Sequence, residues 1–156
     1  MDWLDQVKWD GNGLAPVITQ ESKTKQVLTL AWMNREALRL SVESGHAVYW
    51  SRSRQKIWHK GEQSGNQQLI KSIRLDCDSD AILIEVEQKG GIACHTGRHH
   101  CFYQQLDLSM GSDSIDLQAA AALRKASKDK SIESDPIEKK WRIVEAIIKD
   151  PKEIYK

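Results

Sequence analysis

The sequence lacks a charge excess of either sign. Its 23 lysines and arginines meet 22 aspartates and glutamates, a formal net charge of +1, so the basic footprint of a nucleic-acid-binding surface is missing. No apolar run approaches the length of a membrane span. The opening stretch, MDWLDQVKWDGNG, has neither a basic n-region nor an apolar h-region, so no signal peptide is expected. There is no internal repeat and no low-complexity tract. The CxxC pairs of common zinc modules are absent, and an odd count of three cysteines fits a disulfide framework poorly. At 156 residues the chain is long enough to bury a core, as one domain or one domain with an appendage. Thiols beside acidic and histidine residues suit a cytoplasmic enzyme better than a secreted scaffold.

What chemistry there is gathers between Arg74 and Phe102, in RLDCDSDAILIEVEQKGGIACHTGRHHCF. All three cysteines, Cys77, Cys94 and Cys101, fall inside it, and Asp76, Asp78 and Asp80 surround the first. Thiolates are soft donors suited to zinc, whereas clustered carboxylates are hard donors suited to magnesium. On an extended chain the aspartates share one face and Cys77 takes the other. Thiol and carboxylates are therefore expected to serve different ions. Alternate strand residues sit roughly 7 Å apart, so the aspartates meet on one cation only where the chain bends, at a strand end or bulge. Three thiolates leave a tetrahedral zinc one open position, the mark of a catalytic site. A solvated turn is the plainer reading of the aspartates alone, and structural or incidental cysteines that of the thiols.

Around this stretch the pattern is α+β, mostly antiparallel, with one early helix and a helical C-terminal extension. Trp3 and Val7 are spaced to share a face of a short amphipathic helix. LAPVITQ and VLTLAWM read as strands flanking a polar loop. Asn34 is placed to cap a helix over REALRLSVES that Gly45 ends, with Leu38 and Val42 facing inward. HAVYWS is a third strand. It leads to Arg52 and Arg54, which would lie on one face of an extended segment and suit a phosphate, or else form surface charges. LIKSIRLDC and AILIEVEQ are further strands, the latter with Ile82, Ile84 and Val86 on one apolar face. Beyond Phe102 a linker, LDLSMGSDS, precedes an alanine-rich helix, IDLQAAAALRKASKDK. Ser134-Asp135-Pro136 then opens a helix with Ile137, Trp141, Val144 and Ile148 as its stripe. The division expected is residues 1–110 for the chemistry and 111–156 for a helical extension that packs and carries none.

GLAPVITQ, VLTLAWMNREAL, YWSRSR, WHKGEQSGN, IRLDCDSDAILIEVEQ and ACHTGRHHCF, in that order, closely resemble phosphoribosyl-AMP cyclohydrolases of histidine biosynthesis, over roughly Leu14 to Phe102. The resemblance implies an obligate homodimer, cytoplasmic, dependent on zinc and magnesium. Its substrate is a small nucleotide, N1-(5-phosphoribosyl)-AMP, whose adenine ring is opened between N1 and C6 to the formimino-aminoimidazole carboxamide ribotide. It also implies Cys77, Cys94 and Cys101 as zinc ligands, with Cys77 supplied by the other subunit, and Asp76, Asp78 and Asp80 as magnesium ligands. Neither nucleic acid nor a membrane is implied as a partner. Asn66 stands where the family often has histidine, and His99 and His100 where other polar residues are common.

Ribosylation at N1 leaves the adenine ring electron-poor, so C6 can accept a nucleophile, and zinc lowers the pKa of a bound water toward neutrality. Three thiolates weaken that effect, which calls for a proton acceptor. His95, beside Cys94, is the candidate general base and acid, or else a histidine that only orients its loop. Arg52, Arg54 and Lys60 are the candidates for phosphate charge. Two rivals belong to other classes. A zinc-dependent purine deaminase would carry H-x-E with P-C-x-x-C, and neither occurs. A non-catalytic zinc module would need a fourth ligand, from His95 or His100.

Overall fold

The computed structural model describes residues 2–108 and 139–155 of the chain. They divide into two compact units, Met1–Tyr103 with Glu145–Lys156, and Gln104–Val144. The last stretch of chain thus belongs with the first unit.

The first unit is built on a four-stranded sheet. Strands β1 (Leu14–Glu21) and β2 (Val27–Asn34) form an antiparallel hairpin. Helix α1 (Arg35–Ser44) follows, then the antiparallel pair β3 (Val48–Ser51) and β4 (Lys56–His59). Strands β5 (Gln68–Leu75) and β6 (Ile82–Gln88) are antiparallel, and β6 lies parallel to β1. The order is β2-β1-β6-β5. The arrangement is α+β and mostly antiparallel, with β1–β6 the one parallel pairing among the described strands.

Local chemistry explains these elements. The Asn34 side chain accepts the Ala37 amide at 2.8 Å, satisfying an otherwise orphaned donor, and Gly45 at φ 72° ends the helix. Ile82, Ile84 and Val86 are buried at alternate positions of β6, each contributing roughly 1.5–3 kcal/mol by burial. Val42, however, is 49% exposed, and Ser41 is buried in its place. The Ser41 hydroxyl donates to Ala37 O and accepts the Val48 amide, so the helix turns a polar residue inward to anchor β3. At the amino end there is a single 3-10 turn, Trp3–Gln6, which buries Leu4 and leaves Trp3 exposed. A turn this short provides no shared face for Trp3 and Val7.

A buried polar chain crosses the core. Tyr49 Oη donates to Gln68 Oε1 at 2.5 Å and lies 2.7 Å from Thr19 Oγ1. Gln68 Nε2 in turn donates to Gln88 Oε1, and Gln88 Nε2 reaches the Asn66 carbonyl. Every member has a partner, so burial here costs little.

In the second unit, β7 (Gln104–Leu106) pairs antiparallel with β8 (Trp141–Ile143). The helix expected to carry Trp141 and Val144 is therefore absent from these described positions. Trp141 and Ile143 favour strands. Their pairing with β7, reinforced by Arg142 and Asp107 at 2.6 Å, overrides the helical spacing, and Trp141 stays 67% exposed. The linker, the alanine-rich helix, the Ser134-Asp135-Pro136 cap and Ile137 lie, wholly or mainly, outside the described residues. A short helix, α2 (Pro151–Ile154), closes the first unit. Among the described residues no helix is long and apolar enough to cross a membrane.

Candidate active site

The three aspartates sit on the tight connection between β5 and β6. Asp76 Oδ1 accepts the amides of Asp80 and Ala81, both at 3.1 Å, while Asp76 N donates to Ala81 O. Ser79 takes the left-handed conformation at φ 67°. This curl supplies the bend that an extended strand lacks, and carboxylate oxygens of Asp76, Asp78 and Asp80 come within 4.8 Å of one another. The Ala81 amide holds the Asp76 carboxyl below its ordinary range. Repulsion, first from Asp78, pushes Asp80 up. A hard divalent cation would relieve that repulsion, so the donor set fits magnesium. Cys77 is exposed on the same loop.

Cys94 and Cys101 belong to the loop after β6. Cys94 N donates to Arg98 O and Gly97 N to Cys94 O, while Cys101 N reaches Leu28 O on β2 at 2.8 Å. Cys94 is buried and Cys101 half-buried. Burial pushes the Cys101 thiol up, and neighbouring Cys94 adds to the effect while Thr29 opposes it. Two adjacent thiols fit a soft cation, which would stabilise both as thiolates. Buried Lys60 stands beside them and donates to Ala93 O. Burial lowers its pKa, and Cys101 and Cys94 oppose that. Among the described residues, Asp76, Asp78 and Asp80 form the one close three-donor group within the chain. Cys77 thus does not meet Cys94 and Cys101 inside a single copy.

A cavity of about 570 Å³ opens against this loop. It brings together Arg54, Lys60 and His95 with the rings of Trp50 and Trp58. Arg52 is not among its lining residues. Residues 52–55 form a tight turn rather than an extended run, with Arg54 N donating to Ser51 Oγ. The two arginines therefore do not share a strand face, and the Arg52 guanidinium lies 4.5 Å from the centre of the Trp32 ring. Trp32 itself lines the cavity.

The remaining polar residues of the loop are tied into it. His99 Nδ1 is 2.8 Å from Gly91 O. His100 Nδ1 accepts the Phe102 amide, and its Nε2 lies 3.3 Å from the Glu145 carboxylate. Both imidazole nitrogens of His100 thus face protein groups. Asn66 packs its side chain against Gly90, which at φ 72° carries no Cβ to collide with it. Asn66 is not among the lining residues of the cavity.

Sequence reasoning missed the aromatic walls and Tyr155. The β3–β4 register, which sets Tyr49 opposite Trp58 and Trp50 opposite Ile57, places the rings on one hairpin. The aromatic residues in YWS and IWH were the available signal. Tyr155, in the extension expected to carry no chemistry, lines the cavity.

The cavity thus sets basic and aromatic residues beside a loop bearing two adjacent thiols, an arrangement suited to holding a ligand. The phosphoribosyl-AMP cyclohydrolase family model matches residues 29–103. A phosphoribosyl-AMP cyclohydrolase of Azoarcus sp. (strain BH72) is 50% identical over 153 residues, covering 98% of this chain and 95% of that protein. One from Thioalkalivibrio sulfidiphilus is 48% identical over 154 residues, covering 99% and 95%. Another, from Nitrosococcus oceani, is 64% identical over 107 residues, covering 69% and 81%. The chain belongs to the phosphoribosyl-AMP cyclohydrolase family.

Proposed function

We propose that the protein acts in histidine biosynthesis as a zinc- and magnesium-dependent hydrolase. It adds water across the N1–C6 bond of the adenine ring in N1-(5-phosphoribosyl)-AMP and yields the formimino-aminoimidazole carboxamide ribotide. The observation that carries this reading is the shared cavity of Arg54, Lys60 and His95 against the cysteine loop. It works as a cytoplasmic homodimer. Zinc is held by Cys94 and Cys101 with Cys77 of the partner subunit, and magnesium by Asp76, Asp78 and Asp80. The absence of a three-cysteine group within one copy supports sharing.

A zinc ion in such a site makes a water nucleophilic near neutral pH. The chain's own residues do the rest. His95, exposed in the cavity wall, takes a proton as the oxygen–C6 bond forms and returns one to N1 as the N1–C6 bond breaks. Arg54 binds phosphate charge, and Arg52 supports it from its seat on Trp32. Lys60 places its charge between the thiols and the substrate while holding the Ala93 carbonyl.

The test is turnover of N1-(5-phosphoribosyl)-AMP by the purified protein with zinc and magnesium present. Ring-opened product without ammonia is expected. Ammonia release would indicate deamination, and inertness of the zinc-loaded dimer would refute the reading.

A further inference from the structure

Tyr155 lines the cavity from 60 positions beyond His95 and from outside the span matched by the family model, residues 29–103. Its place there is built rather than incidental. Gly97, between the two cysteines, accepts the amides of Ile148 at 2.8 Å and Lys149 at 3.3 Å. Gly97 has φ +81°, and a Cβ there would run into the Lys149 carbonyl. Only glycine allows both the conformation and the approach. Arg98 Nε donates to the Glu145 carbonyl at 3.0 Å. Asp150 then caps α2 by accepting the Lys152 amide at 2.9 Å, with Pro151 at the first helical position. Ile154 is buried, and the next residue, Tyr155, lines the cavity.

We infer that Tyr155 is a substrate-binding residue, its ring an aromatic wall on which the purine base of a nucleotide stacks, and that the segment Glu145–Tyr155 fixes this wall to the cysteine loop. The cavity already combines tryptophans with Arg54 and Lys60, the pairing that a flat base and its phosphates require. Tyr155 is 45% exposed, which leaves its face open to a ligand. The purine assignment rests on the function proposed above.

Two measurements on the full-length, zinc-loaded protein test this. The first is KM for N1-(5-phosphoribosyl)-AMP; the second is AMP affinity from quenching of the cavity tryptophans. Loss of a base-stacking ring weakens binding on the order of tenfold, so Tyr155→Ala should raise KM and the AMP Kd by about that factor. Zinc content and the thermal midpoint should stay at wild-type values, which a merely structural role would not allow. Tyr155→Leu should behave like Tyr155→Ala, and Tyr155→Phe should restore most of the loss. Wild-type AMP affinity in Tyr155→Ala, or a Tyr155→Phe protein as weak as Tyr155→Ala, overturns the stacking role. If wild-type protein binds AMP but does not open N1-(5-phosphoribosyl)-AMP, the proposed reaction fails while the AMP comparison still decides the role of Tyr155. No AMP binding by wild-type protein overturns the inference.

Discussion

Lys60 Nζ donates to the Ala93 carbonyl, which ties the loop after β4 to the residue preceding Cys94. One side chain thereby joins the cavity to the thiol pair. A hydrogen bond from a buried charged group is worth about 1.5–3 kcal/mol. Lys60→Gln should therefore lower kcat/KM by about 10- to 100-fold. Steady-state kinetics beside zinc analysis will separate lost substrate contact from lost metal. Unchanged kinetics would place Lys60 outside the site.

The aspartate loop predicts a different phenotype. Asp78→Asn removes the first source of the repulsion that raises Asp80, but it also replaces a charged carboxylate donor with a neutral amide oxygen. The magnesium concentration for half-maximal activity should rise by about tenfold or more, with zinc content unchanged. An unaltered magnesium titration would make the loop a solvated turn.

Burial lifts the Tyr49 phenol above its ordinary range, with Thr19 opposing the shift. Its folded pKa thus exceeds the unfolded value of about 10. The associated stability is complete below about pH 10 and is lost as pH rises from there toward the folded pKa. Tyr49→Phe should flatten this alkaline loss in denaturant titrations. At neutral pH it should cost about 1–3 kcal/mol, because Gln68 and Thr19 lose a buried partner. An alkaline limb identical to wild type would exclude Tyr49 as its source.

Much of the fold was legible because it rests on local rules. Asn34 and Gly45 bound α1, and Ile82, Ile84 and Val86 alternate as a half-buried strand demands. The aspartate cluster was legible too, conditional on a bend that the Asp76–Ala81 hydrogen bonds provide. What escaped depends on distant chain. Trp141 becomes strand through a partner at Leu106, and Tyr155 reaches the cavity through backbone contacts to Gly97. Neither carries a local signature. The Arg52–Arg54 error has another cause: alternation describes a strand, and a four-residue turn obeys different geometry.

A hydrolytic site shared between two copies is tested most directly by mixing two crippled chains. Cys77→Ser and Cys94→Ser should each be inactive alone. In a two-fold dimer of one chain of each kind, one site receives only intact cysteines and the other receives both lesions. Random exchange makes about half of the dimers mixed, so co-refolding should restore roughly a quarter of wild-type turnover of N1-(5-phosphoribosyl)-AMP. Mixed dimers confirmed by mass but without recovered turnover would contradict the shared site.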